Sequence, residues 1–271
     1  MTAWLMNARM YAVTPDVEAA WRELLQHVAD DAGVRMSYVS YPAPQPLEQL
    51  WARPDLGAVF MCGLPIATQL APVTPIAAPI PRAAWAAGRA LYRSDLIVHR
   101  DAAFQTLEDS FGGRAGFTVA HSHSGFNAFR HHLLRYRTHA RPRLYGQMQG
   151  DLITARKVLD SVREGHIDIG PLDSYWHTLI AKHAPSLTQD IRVLDATEPA
   201  PLPAFVASGT APATMVQALR AAFLNARTRP WFESLADSLL LDGFASVDVA
   251  SYAELLAWDR EAVQAGYAQP A

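Results

Sequence analysis

Cysteine is nearly absent from this chain. Cys62 is the single one in 271 residues, so no internal disulfide framework holds the fold, and one thiol suits a reducing cytoplasm and a bacterial periplasm equally. Charge is also sparse: Asp, Glu, Lys and Arg make up 18% of residues, and the formal net charge of −3 gives no overall basic excess of the kind that binding a nucleic-acid backbone requires. Nucleic acid is not an expected partner. Long apolar runs are missing as well. Val73–Ile80 and Leu239–Leu241 are short or broken by proline, and nothing reaches the ~20 residues of a membrane helix. No membrane span is expected. The opening segment Met1–Tyr11 carries Asn7 and Arg9 where an export leader needs an unbroken apolar stretch, so no leader pattern is visible.

Catalytic signatures are lacking too. There is no Walker loop, nucleophile elbow, zincin helix or paired-cysteine redox motif. Gly112-Gly113-Arg114-Ala115-Gly116 resembles a dinucleotide fingerprint only loosely and precedes a strand instead of opening a helix, so a turn is the expectation there. Histidine is crowded at His121, His123, His131, His132 and His139. No carboxylate or third histidine stands at a recognisable ligand spacing, however, and the adjacent pair His131-His132 faces two sides of a helix. No metal, no cofactor and no catalytic residue are assigned.

Half of the residues are apolar, which suffices for a substantial core. The length suits two lobes of ~120 residues. Ala3–Val13 reads as a buried strand. Thr14-Pro15-Asp16 then caps a helix whose apolar positions Val17, Ala20, Trp21, Leu24, Leu25 and Val28 recur at helical spacing. Strands are expected at Val34–Tyr41 and Gly57–Cys62, with a helix opening at Gly63-Leu64-Pro65. From Ser94 the pattern restarts. It runs strand Leu96–His99, helical turn Thr106–Phe111, strand Ala115–Ala120, helix Phe126–Tyr136, helix Leu152–Glu164, strand His166–Leu172 and helix Ser174–His183. Ile191–Thr197 and Ala204–Ser208 follow as strands, then helices at Met215–Ala226, Trp231–Leu241 and Tyr252–Gln264. Alternating strands and helices predict parallel or mixed sheets. The middle segment reads as an α/β unit inserted into the first, with crossings near Ile80–Leu91 and Asp195–Ala207. That gives lobe 1 as 1–85 and 204–271, and lobe 2 as 86–203.

The stretch Ala120-His121-Ser122-His123-Ser124-Gly125-Phe126-Asn127 is an anion site in outline. Helix-start amides lack partners within the helix and sit at its positive end, Ser122 and Ser124 add hydroxyls, and Gly125 permits close backbone approach. An ordinary serine cap with a glycine turn reads the same way. Asp173 falls where a strand ends and a helix begins, at the carboxyl edge at which open α/β sheets bind ligands; helix capping is its plainer role. Tyr11 and the Cys62-Gly63-Leu64-Pro65 loop lie at strand ends of the first lobe. For them, core packing and turn chemistry are the plainer readings.

Taken in order, several of these pieces resemble the phosphate, phosphite and phosphonate substrate-binding proteins of ABC transporters. The resemblance covers about Leu5 to Ser208. It rests on Met10-Tyr11 after the first strand, Leu96-Ile97-Val98 with Leu107-Glu108-Asp109 and Gly113-Arg114, and Ser122-His123-Ser124-Gly125. It continues through Val162 to Gly170, Asp173-Ser174 and Leu202-Pro203-Ala204-Phe205. It implies the type II periplasmic-binding fold: two α/β lobes, each a mixed or parallel sheet flanked by helices, with a ligand cleft between lobes. It implies capture of a small oxyanion, a permease as partner, a monomeric chain, a periplasmic location and no enzymatic activity. The ligand contacts it implies are Ser122, His123, Ser124, Gly125, Phe126 and Asn127, with Tyr11 and Gly63 from the first lobe and Asp173 facing an amine or a ligand proton. Where that family has Ser-Thr-Ser-Gly, this sequence has His123 for threonine, a source of added positive charge or a solvent-facing ring. Two other functions suit the same fold: a leaderless enzyme similar to menaquinone-pathway lyases, with Asp173 and His123 as acid and base, and a cytoplasmic small-molecule sensor.

Overall fold

The computed structural model describes residues 3–271. In chain order the strands are β1 (Trp4–Asn7), β2 (Met36–Tyr38), β3 (Leu56–Met61), β4 (Val73–Pro81), β5 (Leu91–Tyr92), β6 (Ser94–His99), β7 (Arg114–Gly116), β8 (Gln147–Gln149), β9 (Ile169–Asp173), β10 (Ile191–Ala196), β11 (Ala200–Pro201), β12 (Ala204–Ser208) and β13 (Leu241–Ser246). The main helices are α1 (Pro15–Ala32), α2 (Leu47–Trp51), α3 (Gly63–Ala67), α4 (Ala128–Leu133), α5 (Ala155–Arg163), α6 (Ser174–His183), α7 (Ala213–Asn225), α8 (Phe232–Leu239) and α9 (Ala253–Gln264). Packing divides the chain into two units, Met1–Tyr92 with Pro201–Ala253, and Arg93–Ala200 with Glu254–Ala271.

The first unit holds a six-stranded sheet ordered β13-β4-β12-β3-β1-β2. β1 runs parallel to β2 and β3, while β12 is antiparallel to β3 and β4, and β13 antiparallel to β4. Thr14 caps α1 through its side chain, which accepts from the Val17 amide, and Pro15 takes the first turn, where its missing N–H is not needed. Trp21 of α1 meets Phe60 edge-on at 5.2 Å, Phe60 stacks on Phe205 at 3.8 Å, and Phe205 on Phe223 at 4.9 Å. These rings seat α1 and α7, packed against each other, on one face of the sheet.

β4 lies inside this sheet although it contains Pro75, Pro79 and Pro81. Proline removes a ladder donor and belongs at irregularities, and register shifts occur beside Pro75, in its pairing with β12, and beside Pro81, in its pairing with β13. Arg220 of α7 donates to the carbonyls of Pro75 and Ile76 at 2.7 and 3.1 Å, supplying partners where the ladder is broken.

The second unit holds a five-stranded sheet ordered β10-β6-β9-β7-β8, with β7 parallel to β8 and β9, and β6 antiparallel to β9 and β10. Its core includes Leu96, Val98, Phe129, Leu133, Tyr145 and Ile169, and also Tyr267 from the tail. The tail is the main departure from the expected division, which gave all of 204–271 to the first lobe. Asn127 donates to the carbonyl of Leu255 at 3.0 Å, Trp258 stacks on His131 at 4.7 Å with ring planes 2° apart, and His131 meets Glu261 at 2.8 Å. Arg130, 3% exposed, pairs with Asp259 and donates to the carbonyl of Ala268 at 3.0 Å. A buried guanidinium demands such partners, so Asp259 fixes the tail to this unit.

Several expected strands shorten. Ala3–Val13 is a strand only over Trp4–Asn7, after which Arg9–Tyr11 forms a 3-10 turn. Ala115–Ala120 is a strand only as far as Gly116. β8 and β13 arise where no strand was expected.

Candidate functional site

Within the second unit, the chain leaving β7 turns at Val119–Ser122, where the Ser122 amide donates to the Val119 carbonyl at 3.0 Å, and then enters a helix. That helix opens with one wide π turn over His123–Asn127, closed by the Asn127 amide on the Ser122 carbonyl at 3.0 Å, and continues into α4. π turns are uncommon and recur at functional sites. The Ser122 hydroxyl caps the turn, accepting from the Gly125 amide at 3.0 Å. The remaining first-turn amides, those of Ser124 and Phe126 among them, have no carbonyl inside the helix to reach and lie at its positive end.

Gly125 is seated against Thr118. The Thr118 amide donates to the Gly125 carbonyl at 3.2 Å, and a Cβ on Gly125 would lie 1.9 Å from Thr118 Oγ1 and 2.9 Å from Ser122 Oγ. Only glycine fits. Thr118 Oγ1 is buried without a hydrogen-bond partner among the described residues.

Ser94 connects this helix start to Asp173. Its hydroxyl donates to the Ser124 carbonyl at 2.8 Å, and its backbone stands opposite Asp173 in the β6–β9 register. Asp173 Oδ1 accepts from the amides of Tyr175 and Trp176 at 2.9 and 3.0 Å, so the carboxylate caps α6. Ser122, Ser124, Gly125 and Asp173 therefore gather at one end of this unit's sheet, two of them tied together by a residue that no sequence motif marked. Thr118 was missed likewise, because it reads as one more position of a strand.

The structure narrows the expected anion cradle. His123 is neither solvent-facing nor a source of charge: it is 1% exposed, lies 5.3 Å from the ring of Trp258, and burial, with a smaller contribution from His131, lowers its pKa to about 3. Asn127 Nδ2 stands 3.3 Å from His123 Nδ1. Because that amide is a donor, the ring accepts at Nδ1 and keeps its proton on Nε2. Asn127 is otherwise committed to the Leu255 carbonyl and, through Oδ1, to Arg130 at 2.9 Å. Phe126 meets Phe117 edge-on at 4.9 Å and lies under the Arg130 guanidinium at 4.9 Å. Those side chains hold the helix in place and leave backbone as their means of touching a ligand.

In the first unit, Tyr11 is buried with its ring edge-on to Phe60 at 4.9 Å, a core contact. Gly63 begins α3, a five-residue helix that the Cys62 side chain does not cap. Gly112 turns with φ of 86° ahead of β7, and Asp168 accepts from the Arg114 amide and guanidinium at 2.7 and 2.6 Å, a structural clasp where a dinucleotide loop was considered. Among the described residues no three His, Cys, Asp or Glu side chains gather as a metal site, and no helix is long and apolar enough to cross a membrane.

A family model described as the periplasmic phosphonate substrate-binding protein of ABC transporters matches residues 12–252. No curated protein matches the chain. Among solved structures, PhnD1 from Prochlorococcus marinus in complex with methylphosphonate aligns over 97% of this chain and 98% of its own, at 15% identity and a TM-score of 0.78. A binding protein component of an ABC phosphonate transporter from Pseudomonas aeruginosa aligns over 98% and 97%, at 13% identity and a TM-score of 0.74. XAC2383 from Xanthomonas citri bound to ATP aligns over 98% of both chains, at 19% identity and a TM-score of 0.65. These likenesses fix the fold as that of type II periplasmic-binding proteins.

Proposed function

Because this chain belongs to the periplasmic phosphonate substrate-binding family of ABC transporters, and so is a solute-binding protein, we propose that it captures a small oxyanion of the phosphonate, phosphite or phosphate class at the Ser122–Gly125 helix start. The family works by capture and delivery to a permease, not by turnover. The observation that carries the ligand reading is the seating of Gly125 against Thr118. It fixes the first helical turn, with its amides and the hydroxyls of Ser122 and Ser124, in one arrangement before any ligand arrives. Donors held in place replace the solvent of an oxyanion without reorganising, and a ligand with a misplaced oxygen leaves them unpaired. Ser122, Ser124, Gly125 and the amide of Phe126 are the proposed anion contacts. Asp173, its Oδ1 committed to α6, is the proposed acceptor for an amine or a ligand proton. The periplasm is the proposed working compartment.

Isothermal titration with methylphosphonate, phosphite, phosphate and a sulfonate tests this. At least one of the phosphorus oxyanions binds, and Ser124→Ala weakens it by about tenfold, the loss of one hydrogen bond to a charged group. A folded protein that binds none of the four refutes the oxyanion assignment.

A further inference from the structure

Residues 110–150 contain six arginines and no Asp or Glu, in a chain whose net charge is −3. Two of the six are neutralised, Arg114 by Asp168 and Arg130 by Asp259. The other four, Arg135, Arg137, Arg141 and Arg143, have no carboxylate partner among the described residues, and all but the half-buried Arg137 are exposed. They form one surface. The Arg135 guanidinium lies 5.5 Å from the Tyr136 ring, Tyr136 meets Phe111 at 5.5 Å, and Arg141 lies 5.7 Å from Phe111, so Arg135 and Arg141 flank one ring pair. Arg137 stacks 4.2 Å over Tyr267 and donates to the carbonyls of Pro142 and Ala265 at 2.8 and 2.9 Å, which places it against the turn bearing Arg141 and Arg143. Mutual backbone hydrogen bonds between Thr138 and Arg141, at 3.2 and 3.1 Å, fix that turn.

We infer that this arginine surface of the second unit is a docking face for a protein partner that presents carboxylates, and that the partner is the permease to which the solute is delivered. The inference rests on the solute-delivery reading for the partner's identity and on the charge distribution for the chemistry. Guanidinium groups propped on rings and carbonyls are ordered before contact and match carboxylates in two-pronged pairs. A lipid surface is better met by flexible lysines with apolar side chains that enter the interface. The chain has two lysines, Lys157 and Lys182, both outside this stretch, and of the exposed large apolar side chains among the described residues, Leu70, Ile153, Val193, Leu224, Val249 and Val263, Val263 alone stands within two residues of the Ala265 carbonyl that Arg137 binds.

The test compares the full chain with the double variant Arg141→Gln, Arg143→Gln, and with a control of equal net charge, Arg35→Gln, Arg89→Gln, at exposed positions of the first unit. Binding is measured to the cognate permease in uncharged phosphatidylcholine vesicles, and separately to empty phosphatidylglycerol vesicles. The expected result is about tenfold weaker permease binding for the first variant, as befits loss of two partly exposed charge pairs. The control and the solute affinity are unchanged, and wild-type docking weakens with salt. Unchanged permease binding overturns the inference. So does an equal loss in the control, or a loss seen only on phosphatidylglycerol vesicles. If no oxyanion binds while docking still depends on Arg141 and Arg143, the ligand reading falls and the docking face stands.

Discussion

Replacing Gly125 by alanine puts one methyl group where the second unit has no room for it. The new Cβ would lie 1.9 Å from Thr118 Oγ1, 2.9 Å from Thr118 Cβ and 2.9 Å from Ser122 Oγ. Alanine in place of a helical glycine ordinarily stabilises by about 0.5–1 kcal/mol through the unfolded chain. Here that gain is outweighed, because Thr118 is anchored by its own amide to the Gly125 carbonyl and cannot swing aside. Forcing such a contact costs about 1–3 kcal/mol, which leaves Gly125→Ala net destabilising by about 1–2 kcal/mol. The moved turn misaligns the Ser122 hydroxyl and the first-turn amides, so oxyanion affinity falls by about tenfold or more. Urea denaturation followed by titration calorimetry reads both effects. Thr118→Ala removes the hydroxyl that a methyl at position 125 would strike, so the double variant loses less than the sum of the singles, by at least about 0.5 kcal/mol. Wild-type stability and affinity for Gly125→Ala, or strict additivity with Thr118→Ala, refutes the seating argument.

Two further expectations concern the same helix. His123, held neutral by burial with a pKa of about 3, must gain a proton when the chain unfolds below the ordinary imidazole value. Its contribution to stability is whole above pH 6.5 and declines as pH falls toward 3, by about 2 kcal/mol at pH 5. Urea midpoints at pH 7.5 and pH 5 for wild type and His123→Gln measure this, and an equal pH dependence in both shows the ring is not the source. Trp258→Ala removes the ring under His131 and beside His123 and costs about 3 kcal/mol or more by the usual toll of emptying an aromatic core site. A loss under about 1 kcal/mol in thermal unfolding would mean that α9 does not hold the second unit together.

Much of the architecture was legible wherever a local rule decided it. Thr14-Pro15 marked the start of α1, the spacing from Val17 to Val28 its buried face, and Asp173-Ser174 the start of α6, because caps and periodicity act within a few residues. β4 was not legible as a whole, since Pro75, Pro79 and Pro81 argue against an interior strand, and its breaks are offset by Arg220, a residue 145 positions from Pro75. The tail was misassigned for a similar reason. The apolar positions of α9 say that it packs on something, and only Arg130 meeting Asp259 says on what. Within the candidate site, Ser122, Ser124 and Gly125 announced themselves by residue type. The inward course of His123 and Asn127 did not, because it depends on Leu255 and Trp258, more than a hundred residues away.

The assignment of Glu254–Ala271 to the second unit bears on how the chain is made. Neither unit is a contiguous stretch: the first needs residues up to Ala253, and the second places Tyr267 in its core. During synthesis at roughly 5–20 residues per second, the helix start at Ser122 emerges long before Trp258 and Asp259, which secure it. For most of its time on the ribosome this chain can hold its sheets only in incomplete form. The binding turn is therefore set late, close to the end of synthesis.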